Sequence, residues 1–546
     1  MTTKSTRRIR FNGRDFLSAG LNVTDNPLIV APNEMVEANN ILVGSTLARR
    51  LRGGQAYFNT DASDEGASYP TNPKNGGSGD DPILGLHEFW RYDSGSGAPK
   101  STLMVRQGTK IWGIDSRTGV ATDLTSTIIL PTTGRVTFQT FEGKVYWVST
   151  DPAEGMYVWD GVAPAASTVP AGSQPPDGTP SYLLSHGGRM WGWGVPGFPY
   201  RGYYSEFFDA TTWATTGFGA TGLPNAAGSL DFDPFGDPNG IVGGVSFQSR
   251  LYLFMNRAQF EVTGNQINNF VVKTISRQIG CIGHHTIVPI ANDVIYASER
   301  GILRMSSTDK AIESDYGFIS RPISKLWNKG LNRSDFTQYT AAFDEEDNMY
   351  YISVPSKTAT ESDLILAFNT QESIWSGVWE NHQAVSMANY VDGGINRVIT
   401  GRKDGVLALI NDEVRTDLGT AYTGRFKSGF IYPGGEMDME HTWKHATVLA
   451  STDGQGTLGI NGYVDSRQVT TRTIEVDSGE DQLGSSFILG TSKLGSGVFV
   501  PQTIPLKGQG YGLQIEVIYN AQADVGVYGF MIEAKEANVP VRGGSA

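Results

Sequence analysis

Between residues 83 and 412 the apolar and polar positions recur as one unit: an apolar run, a tight polar turn, then a second run with an aromatic near its start. The instances are 103–115 around Lys110-Ile111-Trp112, 136–150 around Lys144-Val145-Tyr146-Trp147, and 182–195 around Arg189-Met190-Trp191. Next come 242–256 around Arg250-Leu251-Tyr252, 287–298 around Asp293-Val294-Ile295-Tyr296, and 339–354 around Asn348-Met349-Tyr350. A weaker seventh is 387–401. Several units run on into further short strands, as at 156–160, 260–264, 301–305, 364–370 and 374–379. Short alternating runs bounded by Gly, Asn and Asp predict half-buried strands joined by hairpins. A spacing of roughly 35–60 residues between units is the period of propeller blades.

A single sheet with two apolar faces cannot bury both by itself. A closed ring of such sheets buries both and leaves only short edges. The expected fold is therefore all-β, with a β-propeller of six or seven blades over residues 55–412; sandwiches in tandem would give a similar period. After residue 412 the runs lengthen, at 447–451, 457–464, 469–475, 502–507, 511–520 and 526–533, with Gly-rich turns between. This predicts a separate antiparallel β-sandwich, jelly-roll-like, over 413–546. Two helical stretches are expected: a short one over 32–40, with Asn33 near its cap, and one over 319–327 with Pro322 near its start. Residues 60–81 read as a polar loop and 539–546 as a loose tail.

Charge divides the chain. Residues 1–54 carry Lys4, Arg7, Arg8, Arg10, Arg14, Arg49, Arg50 and Arg52 against four acidic residues, while the whole chain has a formal net charge of -13. The segment reads as a basic docking arm, with Arg7, Arg8, Arg10, Arg49, Arg50 and Arg52 as candidate assembly residues. Its deletion is expected to abolish attachment and leave the body folded. The acidic body argues against wrapping nucleic acid and is compatible with a wall that DNA slides past. Abundant Gly (67) with 11 Trp and 22 Tyr supports turns and strands. The one cysteine, Cys281, excludes an intramolecular disulfide and is expected to be buried and inert. No secretory signal and no apolar run long enough for a membrane helix is read from the sequence.

Candidate chemistry is sparse, and the chain is not expected to be an enzyme. His441 and His445 are four apart, and in a strand that separates them by about 13 Å along the chain, so no metal site is expected. Ser149, Asp151, Gly155 and Trp159 form a stretched version of a sialidase Asp box, and Ser451, Asp453 and Gly454 begin another without its Trp. Asp344-Glu345-Glu346-Asp347 reads as a solvated hairpin turn. Trp191, Trp193, Phe198, Tyr200, Tyr203 and Tyr204 read as sheet core or subunit contact rather than a sugar platform. Phosphate-loop glycine patterns are absent, and no cofactor is expected.

Two stretches resemble one family. The first is Gly20-Leu21-Asn22-Val23-Thr24-Asp25-Asn26-Pro27-Leu28, followed by Pro32-Asn33-Glu34, Asn39-Asn40 and Leu47-Ala48-Arg49-Arg50-Leu51. The second runs from Ser249-Arg250-Leu251-Tyr252 and Phe260-Glu261-Val262-Thr263-Gly264 to Gly280-Cys281-Ile282-Gly283. It continues through Asp293-Val294-Ile295-Tyr296-Ala297-Ser298-Glu299-Arg300-Gly301-Ile302 and ends at Ile319-Ser320-Arg321-Pro322-Ile323. In this order they resemble the tail nozzle, or tail hub, proteins of short-tailed bacteriophages, also described as DNA-stabilisation or tail tubular proteins. The resemblance implies a homohexameric ring in the virion tail, made in the host bacterial cytoplasm. That ring would sit below the portal and head–tail adaptor, continue the DNA channel without binding DNA specifically, retain packaged DNA, and mount tail spikes or fibres. It does not extend to the C-terminal sandwich. Two other readings stay open: a carbohydrate-binding or glycan-cleaving propeller acting as a receptor-binding tail protein, and a free propeller scaffold of cellular origin.

Overall fold

The structure is a computed structural model. It describes residues 6–12, 19–43, 48–58, 81–93, 97–116, 119–213, 225–306, 317–392, 394–452, 455–477, 500–520 and 525–537. The loop expected at 60–81, except its last residue, and the tail at 539–546 lie outside them, as do Lys4, Arg14, Asp453 and Gly454. The fold is all-β: 57% of the described residues are strand and 5% helix.

Seven antiparallel sheets follow one another along the chain. Sheet I spans 83–123, sheet II 136–168, sheet III 182–231, sheet IV 243–276, sheet V 288–306, sheet VI 340–380 and sheet VII 384–411. In each, consecutive strands pair, except that the last strand of sheet III, Gly228–Asp231, returns to pair with Arg201–Glu206. The tightest turns are set by local chemistry. Glu142 and Gly143 join two strands of sheet II with φ of 47° and 69°, the doubly left-handed pair that a two-residue hairpin needs. Nothing lies within 4 Å of a Cβ placed on Gly143, so glycine serves the backbone conformation there, not packing.

Both faces of these sheets are apolar, and each buries against its neighbours in the chain. Phe89, Met104 and Ile111 of sheet I pack with Val145 and Trp147 of sheet II. Tyr146 and Met156 of sheet II pack with Met190 and Trp213 of sheet III, and Trp191 and Trp193 of sheet III with Leu251 and Phe260 of sheet IV. The series continues with Phe254 on Tyr296 between IV and V, and with Tyr351, Trp379 and Val398 between VI and VII. Ile295 and Ile302 of sheet V share a core with Tyr350 and Ile352 of sheet VI. Sheet VII then returns to sheet I through Ile399, Leu407, Ile83 and Leu103. The first strand of sheet VII, Ala384–Asp392, touches the first strands of both sheet VI, Thr340–Asp344, and sheet I, Ile83–Asp93. The packing therefore runs as a cycle.

The N-terminal segment is not a separate arm. Its strands are β1 (Thr6–Asn12), β2 (Met35–Asn39), β3 (Ile41–Val43), β4 (Arg49–Leu51) and β5 (Gly54–Tyr57). β5 is the fourth strand of sheet VII, pairing Gly54 with Asn411 and Tyr57 with Ala408. The others enter two C-terminal sheets. One has the order β3, β4, Val525–Glu536, His441–Thr452, Val500–Gly510, with β1 also on Val525–Glu536. The other continues sheet VI: β2 pairs in parallel with Ile374–Glu380 at Asn39 and Val378, and is followed by Gly424–Ser428, Leu513–Tyr519, Gln455–Val464 and Arg467–Asp477. The two share one core, in which Phe426 of the second sheet lies 6.4 Å from Phe530 of the first. The boundaries expected at 54 and 412 are thus crossed by strands from both ends of the chain.

The helix expected over 32–40 is also corrected. Met35–Asn39 is a strand because antiparallel pairing with Gly424–Ser428 overrides a weak local preference. The stretch at 319–327 is helical but short, a 3₁₀ turn at Arg321–Ile323 that widens into a π turn at Leu326–Gly330 and buries Ile323 and Trp327.

Candidate docking surface

β1 is an outer strand, paired in plain register with Val525–Glu536: Arg8 lies opposite Glu533 and Arg10 opposite Met531. Alternation turns Ile9 towards the core and leaves Arg8 and Arg10 exposed. Arg8 is 73% exposed and 3.5 Å from Glu533, which also lies 3.8 Å from Lys444. Arg8, Arg10 and Glu533 line, with His445, Thr447 and Thr503, a depression of about 300 Å³ in which arginines outnumber carboxylates. Arg7 points along the edge, 3.2 Å from Glu436 and 3.4 Å from Glu536. Arg7, Arg8 and Arg10 therefore stand at the surface, as a docking role requires.

Arg49, Arg50 and Arg52 do not, and this corrects the expectation for them. β4 lies between β3 and Val525–Glu536, and its side chains run into the protein. Arg49 is fully buried over Phe426, donates to the carbonyls of Ala19 and Asn33, and burial lowers its pKa to about 9. Arg52, also fully buried, donates to both oxygens of Asp417 at 2.9 and 2.6 Å, to Asn40 Oδ1 and to the Gly53 and Glu380 carbonyls. Arg50 lies 2.9 Å from Asp412 and 3.9 Å from Asp347. These three hold the N-terminal segment to the sheets instead of offering charge to a partner. The sequence carries no period-2 alternation here, Arg49 and Arg50 being adjacent, so only the strand pairing reveals their course.

Asp347 also departs from the solvated turn expected of it. It lies 3.9 Å from Arg50, which also meets Asp412, and nearby Asp344 is only 9% exposed. Burial first, then the neighbouring Asp412 carboxylate, raise Asp347 to about 8; burial raises Asp344 to about 6. The fold therefore holds a proton that the unfolded chain releases near pH 4 (about 3.9). Stability contributed by this proton is present at low pH and is lost as pH climbs from about 4 through about 8. Asp347→Asn removes its part of the dependence and leaves the smaller part due to Asp344. The wild-type melting temperature is expected to fall more steeply than that of the variant between mildly acidic and alkaline buffer, and parallel pH profiles in calorimetry would refute the assignment.

Polar side chains also join the sheets to one another. Arg135, just ahead of sheet II, donates 3.2 Å to the carbonyl of Thr337, just ahead of sheet VI, although these sheets are not neighbours. His284 packs against Tyr182 and Trp193 with ring centres 5.2 and 5.7 Å away, and His285 beside it is half-buried. Burial lowers His284 to about 4 and Arg135 to about 10. Further along, His87 meets Thr140 at 2.8 Å between sheets I and II, and His186 meets Ser246 at 2.8 Å between III and IV. These histidines join sheets.

The remaining candidates fall as follows. A bulge between Trp443 and His445 leaves His441 buried and His445 exposed, on opposite sides of the strand. Cys281 is buried in the core between sheets IV and V, where burial raises its thiol to about 11. Trp191, Trp193 and Tyr204 lie in the core between sheets III and IV. Asp151 accepts hydrogen bonds from Thr133 and from the Ala153 backbone in a turn. A buried pair the sequence did not reveal is Arg106–Glu154, 3.6 Å apart. No helix among the described residues is long and apolar enough to cross a membrane. Comparison with known proteins found no matching family model and no matching curated protein.

Proposed function

We propose that the seven cyclically packed sheets are the blades of a β-propeller, that the C-terminal sheets form a sandwich on it, and that the chain is a tail nozzle or hub subunit of a short-tailed bacteriophage. The observation that carries a mechanical reading is the use of the polar residues. Arg135, His87, His186 and His284 bind one sheet to another across and around the ring, where a catalytic propeller would keep groups free to meet substrate. Arg135 also ties the approach to sheet II to the approach to sheet VI, which are not neighbours in the series. A DNA channel would then run between copies, six of them in a closed ring, and the acidic body would let DNA pass without adhering. Arg8 and Arg10 on β1 offer a basic face to an acidic head–tail adaptor, leaving other surfaces for spikes or fibres. The protein acts in the virion tail after synthesis in the bacterial cytoplasm.

Mass photometry and negative-stain imaging test this reading. The purified chain should form a ring alone or on adding the adaptor, and a chain that stays monomeric with adaptor present, or cleaves members of a glycan panel, would overturn it. Arg8→Glu with Arg10→Glu is expected to leave the melting temperature within about 2 °C, because exposed ion pairs contribute little, while preventing adaptor binding. Undiminished binding by the double variant would remove β1 from the interface.

A further inference from the structure

A second basic surface lies on the propeller-like ring, away from β1. Arg257, Arg277 and Arg300 line a cleft of about 390 Å³ at the junction of sheets IV and V. Arg300 also lines a second cleft of about 380 Å³ together with Arg321, so the two are joined through one guanidinium. All four arginines are exposed. Glu299, 3.5 Å from Arg257, is the one carboxylate lining either cleft among the described residues. From Arg321 the positive strip continues at four-residue intervals through Lys325 and Lys329, both exposed.

The frame under these side chains is rigid. A Cβ on Gly280 would come within 1.9 Å of the Met255 carbonyl, so the two loops touch backbone to backbone. Buried Asp237 accepts the Arg257 backbone N–H at 2.9 Å and fixes that loop. Arg333, stacked 5.8 Å from the Phe336 ring, donates to the Glu299 carbonyl and fixes the turn that carries Arg300. Arg277 lies 4.7 Å over the ring of Phe235. A concentrated positive strip on a chain of net charge -13 is an electrostatic contrast that acts at short range.

We infer that the joined clefts are a docking site for an extended acidic segment of a neighbouring protein, whose carboxylates seat on Arg257, Arg277, Arg300 and Arg321. Arginine forks pair with carboxylates in two-pronged fashion, and each cleft has room for a few acidic side chains. Nucleic acid fits less well. A duplex meets the repulsion of the whole acidic body before it reaches so short a strip. The inference does not depend on the nozzle reading or on the β1 surface.

The test uses the full-length chain and two labelled probes, a deca-glutamate peptide and an oligothymidylate, followed by fluorescence anisotropy at low and high salt. The triple variant Arg257→Glu, Arg300→Glu, Arg321→Glu is compared with wild type and with the Arg8→Glu, Arg10→Glu variant. Expected is salt-sensitive peptide binding by wild type and by the β1 variant, weakened roughly tenfold or more in the triple variant. Arg300→Ala alone, which severs the link between the clefts, gives the same direction of change should the triple variant melt early. Absent peptide binding, equal binding by the triple variant, or tighter binding of oligothymidylate through the same arginines would overturn the inference.

Discussion

Removal of residues 1–54 will unfold the C-terminal sheets and open the cycle at sheet VII, and will not yield a folded body that has merely lost an arm. The deletion takes away β1 to β4 and the first residue of β5. With them go Leu21, Met35, Ile41, Leu42, Val43 and Leu51, none more than 3% exposed. Full burial of such a side chain stabilises by about 1.5–3 kcal/mol, so their sum is on the order of 10 kcal/mol. That matches the whole net stability of an ordinary domain, about 5–15 kcal/mol. Gly424–Ser428 would also lose β2, its partner on one side, and be left as an exposed edge prone to aggregation. Circular dichroism and limited proteolysis should find a protein without a cooperative melt, while deletion of residues 1–12 alone should keep one. A truncated chain that melts at the wild-type temperature would show that these strands do not hold the fold.

The sequence made the hairpins legible because the chemistry that forms them is local. Glu142-Gly143 and the aromatic strands after each turn can be recognised without knowing what lies across the core. All seven units expected from the pattern lie in sheets I to VII. What was hidden is pairing between distant parts of the chain. β5 meets residues 408–411 and β2 meets residues 425–428, and no local pattern encodes a partner more than three hundred residues away. Charge misled in the same manner. Arg7, Arg8 and Arg10 reach the surface as expected, but Arg49, Arg50 and Arg52 occupy the same basic stretch and are turned inward by the strand that carries them. Composition reports how much charge a segment holds, and only tertiary pairing decides which face it takes. Asp347 repeats the lesson: four acidic residues in a turn look solvated until Arg50 and Asp412 arrive from elsewhere in the chain.

Arg52→Ala should destabilise the protein by about 3–5 kcal/mol, the cost of breaking a buried ion pair from one side. The guanidinium lies where β4 turns into β5, beside the end of sheet VI and the extension of sheet VII. It bonds Asp417, Asn40 and the carbonyls of Gly53 and Glu380, and it lies 3.9 Å over the Tyr422 ring. Alanine leaves Asp417, only 10% exposed at its side chain, without its counter-ion, and leaves two carbonyls short of a donor. Arg52→Lys keeps the charge but cannot reach Asp417 and both carbonyls with one ammonium, so an intermediate loss is expected. Pairing Arg52→Ala with Asp417→Ala should recover part of the cost, since the stranded carboxylate is then gone and the two residues act as one unit. Exposed Arg8, replaced by alanine, should cost about 0.5 kcal/mol or less. Urea unfolding of the four variants measures all these differences. If Arg52→Ala were as mild as Arg8→Ala, the basic segment would be a surface feature after all, and the inward course of β4 would have to be abandoned.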